Sequence, residues 1–190
     1  GDVKHYCPNK EECLPQIIGG FEHFISRKAM NIDSLGTETI ELLVNKNIVS
    51  TISDLYLLRI EDLLPLKKDG RKWAKNIIKG VEESKEVPFE RVLFALGIRH
   101  VGETVSKKLA RYFISIDNLM SSKMEDLLNI DEIGDKIAES VVHYFSKQKN
   151  KVLIDNLRYH NLCFFAKKKA EILSTKLQGD SIVISGIFEH

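Results

Sequence analysis

The 190-residue chain sets 28 Lys and Arg against 27 Asp and Glu, a formal net charge of +1, with 43% hydrophobic and 29% charged residues. That balance fits one or two globular domains and excludes collagen, extended disorder and a disulfide scaffold. The apolar runs Val92–Ile98 and Ile182–Ile184 fall far short of the roughly 20 residues that span a bilayer. No signal-peptide pattern opens the chain. Three cysteines, an odd number, point to a reducing compartment, so a cytoplasmic location is expected. With charge so near neutral, any nucleic-acid binding must come from local geometry rather than from a uniformly basic surface.

At the start, Cys7-Pro8-Asn9-Lys10-Glu11-Glu12-Cys13 is a C-x5-C pair ahead of a helix. Two thiolates so spaced can share a tetrahedral zinc, but a structural site wants four ligands, and His5 is the only neighbour able to stand in. An unliganded pair in a turn is the plainer alternative. From about Phe21 to Ala166 apolar residues recur at i, i+3, i+4 and i+7 between short glycine-marked turns, which predicts a mainly α fold. Cys163, between Leu162 and Phe164, reads as a buried small hydrophobe. Lys167-Lys168-Lys169 opens a linker, and Ser181–Phe188 alternates like a strand with nothing to pair with. With Gly1-Asp2-Val3 at the other end, the chain reads as a piece of something longer: a knuckle remnant (1–20), a helical domain (21–166), and a linker with a first strand (167–190).

A repeat organises the middle. Gly36, Gly70, Gly102 and Gly134 are spaced by 34, 32 and 32 residues. Ile60-Glu61-Asp62-Leu63-Leu64-Pro65-Leu66 before Gly70 matches Met124-Glu125-Asp126-Leu127-Leu128-Asn129-Ile130 before Gly134 at an offset of 64, as do Ile52 with Ile116 and Leu55 with Leu119. Four residues after each glycine stands Ile40, Ala74, Ser106 or Ala138, and seven after stands Leu43, Ile77, Leu109 or Val141. Each glycine therefore opens a helix with one buried face, its first crossing residue mostly small. The unit is a helix, a tight hairpin and a second helix: four tandem helix-hairpin-helix motifs.

The chemistry of such a unit follows from its backbone. Glycine lets the chain turn and lets a ligand come close, since no Cβ stands in the way. The second helix then offers unpaired N–H groups and the positive end of its dipole, which suit a phosphate oxygen. Two units side by side would hold the strands flanking a groove without reading bases. The alternative is a plain helical bundle whose glycines are only caps. A second alternative is a module that docks a protein partner through an exposed apolar patch.

The copies differ in the residues around them. Arg99, His100, Gly102, Glu103, Thr104, Lys107 and Lys108 make the third the best equipped; Gly70, Arg71, Lys72 and Lys75 serve the second; Gly134 and Lys136, opposed by Glu132 and Asp135, serve the fourth. The first has Thr37, Glu38 and Glu41 with no nearby cation and reads as mainly structural. Two places before the aligned glycines stand Ser34, Lys68, His100 and Glu132, and one place before stand Leu35, Asp69, Val101 and Ile133.

Taken in order, the Cys-Pro-Asn…Cys knuckle, Ser26-Arg27-Lys28-Ala29-Met30-Asn31-Ile32, the four hairpins with Arg91-Val92-Leu93-Phe94-Ala95-Leu96-Gly97-Ile98-Arg99-His100-Val101-Gly102-Glu103-Thr104, then Leu177-Gln178-Gly179 and a strand, closely resemble bacterial NAD-dependent DNA ligases over essentially the whole chain. The resemblance implies that Cys7 and Cys13 correspond to the third and fourth ligands of a four-cysteine zinc knuckle, and that the segment from about Lys176 opens a BRCT domain. It implies a parent enzyme that moves AMP from NAD onto a lysine, passes it to the 5′-phosphate of a nick and seals with the 3′-hydroxyl, using magnesium, in replication and repair. The usual helix-hairpin-helix hairpin has a glycine where Ser34, Lys68, His100 and Glu132 stand. Lys67-Lys68-Asp69-Gly70 contains the K-x-D-G pattern of the adenylated lysine, yet it falls in the second hairpin with no nucleotide-binding domain around it. The expectation is a non-catalytic segment that binds nicked duplex alongside other ligase domains. A hairpin-containing glycosylase or endonuclease is a further alternative, disfavoured because the cysteines are too few for the iron–sulfur cluster that some such glycosylases carry.

Overall fold

The computed structural model describes residues 13–166, whose regular structure is helical apart from one antiparallel bridge between Ser115 and Phe165. The helices are α1 (Leu14–Ile25), α2 (Thr37–Asn45), α3 (Ile60–Leu63), α4 (Arg71–Ser84), α5 (Phe89–Ala95), α6 (Glu103–Phe113), α7 (Ile116–Met120), α8 (Met124–Leu128), α9 (Asp135–Ser146) and α10 (Gln148–Tyr159), with 3-10 turns at Ile52–Leu57 and Leu64–Leu66. Helices pack in the pairs the repeat requires: α1 on α2, α3 on α4, α5 on α6, and α8 on α9. α1 begins at Leu14, ahead of the expected boundary at residue 20, with Pro15 in its first turn where a missing N–H costs nothing. Cys7 and the expected linker and strand of 167–190 lie outside the described residues.

The 64-residue offset holds in three dimensions. The turn Ile52–Leu57 corresponds to α7, α3 to α8 and α4 to α9. The short helices are started the same way: the Asp62 carboxylate accepts the Arg59 N–H at 2.9 Å, and the Asp126 carboxylate accepts the Lys123 N–H at 2.8 Å. An acid at the third helical position thus satisfies a donor the helix leaves orphaned.

The face predicted after each glycine is sealed in all four copies. Ile40, Ala74, Ser106 and Ala138 are fully buried, as are Leu43, Ile77 and Leu109, with Val141 at 1% exposure. These residues join one continuous core with Phe21, Phe24, Phe89, Leu93 and Leu127. Burying a side chain of Leu or Ile size contributes about 1.5–3 kcal/mol, so the second helices are held by packing more than by propensity. The two halves are tied by α1 against α5 and by the turn Ile52–Leu57 against α10. In that turn Tyr56 stacks on His160 at 5.8 Å and meets the Ser84 hydroxyl at 3.1 Å. Burial pushes its phenol far above the ordinary range despite that hydrogen bond.

Ile116 N–H donates to the Phe164 carbonyl and Ala166 N–H to the Ile114 carbonyl, so the end of the described chain lies along the α6–α7 junction. Cys163 there is half-buried rather than enclosed, its thiol directed at the Phe165 carbonyl.

Ser106 is the one polar residue among the four first-crossing positions, and its buried hydroxyl has no hydrogen-bond partner. Alanine occupies the corresponding sites in α4 and α9. Ser106→Ala should therefore raise stability by about 1 kcal/mol, removing a desolvated hydroxyl at no packing loss. Thermal melting checks this, with a rise of a few degrees expected for a domain of this size.

Candidate nucleic-acid interface

The hairpin tips depart from expectation in where the strained residue sits. None of the four aligned glycines adopts a positive φ: Gly36, Gly102 and Gly134 have φ of −100°, −86° and −95° with ψ near 180°, a shape any residue can take. The left-handed residue of the third and fourth hairpins is instead two places earlier, His100 at φ 64° and Glu132 at φ 66°. A non-glycine residue pays roughly 1–2 kcal/mol for that conformation. The sharp turn is thus made before the glycine, and the glycine itself caps the helix.

Three of the caps share one form. Gly36, Gly102 and Gly134 are exposed, and a Cβ built on any of them would meet nothing within 4 Å. Each is the N-cap of its helix, and with no side chain it leaves the first N–H groups uncapped. The amides of Glu103, Thr104, Asp135 and Lys136 have no hydrogen-bond acceptor among the described residues. The residue before each cap, Leu35, Val101 or Ile133, is buried at 4–6% exposure and roots the tip in the core.

The second hairpin breaks this form, which corrects the expectation for Gly70. Asp69 replaces the apolar anchor, stays exposed and takes the left-handed φ of 57°. Gly70 turns inward and is buried, and a Cβ there would lie 2.7 Å from the Lys67 carbonyl oxygen. Its glycine is required by packing inside the protein. Arg71 and Lys72 remain exposed at the start of α4. Lys67 of the K-x-D-G pattern lies with its ammonium 5.6 Å from the Trp73 ring centroid.

The third and fourth hairpins are brought together. A shallow cleft is lined by His100 from one and by Gly134, Asp135, Lys136 and Ile137 from the other. Lys108 on α6 reaches across, donating to the Asp131 carbonyl at 3.2 Å and pairing with the Glu132 carboxylate at 2.9 Å. It therefore serves the fourth hairpin rather than the third. Gly70 and Arg71 do not line this cleft. Arg99 is exposed beside a second groove against α9, with Glu139, Ser140 and His143.

At the start of α6 the Glu103 carboxylate accepts a 3.0 Å bond from Lys107 and lies 3.5 Å from Lys28. The Lys107 hydrogen bond and charge, with Lys28 behind them, hold its carboxyl below the usual value. The Glu103 carboxylate is thus taken up by two ammonium groups, and what the residue leaves for an incoming anion is its backbone N–H. Lys28 was not legible as part of this site, because it comes from the loop after α1. The first hairpin has the exposed cap but an acidic setting: the Thr37 hydroxyl donates to the Glu22 carboxylate, and Glu38 follows in the first turn.

For zinc, Cys13 is a half-buried free thiol at the N-cap of α1. No group of three or more His, Cys, Asp or Glu is placed to hold a metal ion among the described residues. Nor is any helix of these residues long and apolar enough to cross a membrane.

The sequence of residues 91–154 matches the family model described as "Helix-hairpin-helix motif". The matched span takes in the two hairpins that share the cleft. Over 190 residues the chain is 50% identical to a protein named DNA ligase from Christiangramia forsetii, covering all of this chain and 29% of that protein. It is 52% identical over 193 residues to the DNA ligase of Bacteroides fragilis, and 48% over 191 residues to that of Flavobacterium johnsoniae, with the same coverage in both. Along its whole length the chain is similar to one part of the DNA ligases. It spans less than a third of the length of these DNA ligase relatives.

The two kinds of cap respond oppositely to a methyl group. Gly102→Ala and Gly134→Ala should leave the melting temperature within a few degrees, since the backbone is extended and the space open. Gly70→Ala should cost about 1–3 kcal/mol, because backbone must move away from the new Cβ. Thermal or urea denaturation of the three variants distinguishes them.

Proposed function

We propose that this chain is the duplex-binding region of an NAD-dependent DNA ligase, holding nicked DNA by its phosphates while other domains carry out the sealing. The observation that carries the reading is the pair of exposed glycine caps at α6 and α9. Nothing among the described residues requires glycine at either position, and the α9 cap with its uncapped amides lines a cleft whose other wall is His100, two residues before the α6 cap. A residue lacking Cβ where the protein has no need of it favours close approach by something outside. Helix-start N–H groups and the positive dipole end suit an anionic oxygen.

In this reading the amides of Glu103, Thr104, Asp135 and Lys136 donate to phosphate oxygens, Lys28, Arg99, Lys107 and Lys136 supply surrounding positive charge, and the His100 ring adds a polar contact. Arg71 and Lys72 add a peripheral contact, and the first hairpin is mainly structural. The contacts fix register without sequence information. No residue here is assigned to catalysis: Lys67 lies over an aromatic ring on an exposed turn, so the segment alone has no ligase activity. The parent reaction, AMP transfer from NAD and nick sealing with magnesium in the cytoplasm during replication and repair, is proposed for the longer protein. Cys7 and Cys13 would hold zinc only together with two more ligands, so partial or no loading is expected for this chain.

The test is binding to a labelled nicked duplex over a range of salt. Wild-type log affinity should fall linearly with log salt, and Arg99→Gln and Lys107→Gln should each lower the slope by about 0.9 while weakening all sequences alike. Gly102→Ala and Gly134→Ala should weaken binding roughly tenfold or more while remaining folded. No detectable duplex binding at low salt, or strong dependence on base sequence, would overturn the proposal and favour a protein-docking module.

A further inference from the structure

The loop between α1 and α2 carries Arg27 and Lys28 on its outer side and roots itself through Ala29 and Met30, both fully buried. Its backbone folds back on the end of α1: Ala29 and Asn31 donate to the Ser26 carbonyl, Met30 to Phe24 and Ile32 to Ile25. This uses many of the loop's N–H groups and leaves carbonyls facing outward. Two of those, on either side of Lys28, are taken by one side chain from 62 or more residues away. Arg91 on α5 donates from Nε to the Ala29 carbonyl at 2.9 Å and from Nη2 to the Arg27 carbonyl at 2.5 Å. The fork spans Lys28, whose ammonium reaches Glu103 at the start of α6, 3.5 Å away.

We propose that Arg91 is a positioning residue for DNA: it clamps the Arg27–Ala29 backbone so that Lys28 stands over the helix-start amides of the third hairpin. The geometry suits arginine specifically. A rigid planar fork can serve two carbonyls at once, and an ammonium cannot reproduce its fixed pair of directions. α5 is also the first helix of that same hairpin, so the clamp ties the cation-bearing loop directly to the element it serves. Arg91 is half-buried and spends its Nε and one Nη2 donor on the loop carbonyls, so in this reading its influence on an anion passes through Lys28. This inference rests on the reading of the α6 start as a phosphate site.

The test measures nicked-duplex affinity against salt for the whole chain and for Lys28→Gln, Arg91→Gln, Arg91→Lys and the double variant Arg91→Gln/Lys28→Gln. Lys28→Gln should weaken binding roughly threefold to tenfold and reduce the salt slope by about 0.9. Arg91→Gln should reproduce most of both effects, and the double variant should be little worse than either single one, the non-additivity expected of residues acting as a unit. Should Arg91→Gln fail to fold, Arg91→Lys carries the test through a partial loss of slope. The inference is overturned if the unaltered chain binds while the folded Arg91 variants keep its slope and affinity, or if the losses from Arg91 and Lys28 multiply. Absence of duplex binding by the unaltered chain overturns the phosphate-site reading itself, and this inference with it.

Discussion

The arrangement of the tips depends on the residue just before each glycine, which is apolar in three of the four hairpins. Where it is Leu35, Val101 or Ile133 it drops into the core, and the glycine after it is left on the surface with its helix amides uncapped. Burial worth about 1.5–3 kcal/mol is ample to hold His100 or Glu132 in a left-handed turn costing roughly 1–2 kcal/mol. Where the anchor is Asp69 it cannot be buried without desolvating a carboxylate. The left-handed residue then shifts by one place and the glycine turns inward. Within one chain, three copies with the anchor and one without it show what the anchor does.

Charge is arranged locally around these tips, which reconciles a net charge of only +1 with an anion-directed surface. Lys108 neutralises Glu132 at the turn of the fourth hairpin, and Lys28 and Lys107 converge on Glu103 at the start of α6. Such exposed pairs add little to stability. Their consequence is positional: cations are held at the hairpin tips, and the Glu103 and Glu132 carboxylates are already partnered. Under the proposed function, attraction built this way would be short-ranged, sensitive to salt and indifferent to base identity.

Much of this was legible in the sequence. The glycine period and the buried positions four and seven residues later depend on helical periodicity and a repeated unit, both local properties, and all eight residues are sealed in the core. The C-x5-C pair was legible only as a motif, since Cys7 lies outside the described residues. The assignment of the turn to the glycine failed, because the other glycine position of the usual helix-hairpin-helix hairpin is filled here by His100 and Glu132, which take the strained conformation themselves. Treating Gly70 as equivalent to Gly102 failed because the effect of Asp69 is a packing effect. Lys28, Arg91 and the cross-reach of Lys108 were beyond reach for another reason: each contact joins residues 23 to 75 positions apart, and no periodicity encodes which surface side chains the fold brings together.

The most direct examination of the central claim follows individual backbone amides by NMR as nicked duplex is added to the isotopically labelled chain. The account predicts that the N–H resonances of Glu103, Thr104, Asp135 and Lys136 move together and saturate with binding, while Gly70 stays where it was. Saturable binding that leaves those four amides unmoved, with the perturbed residues on α10 or another outer face, would contradict it.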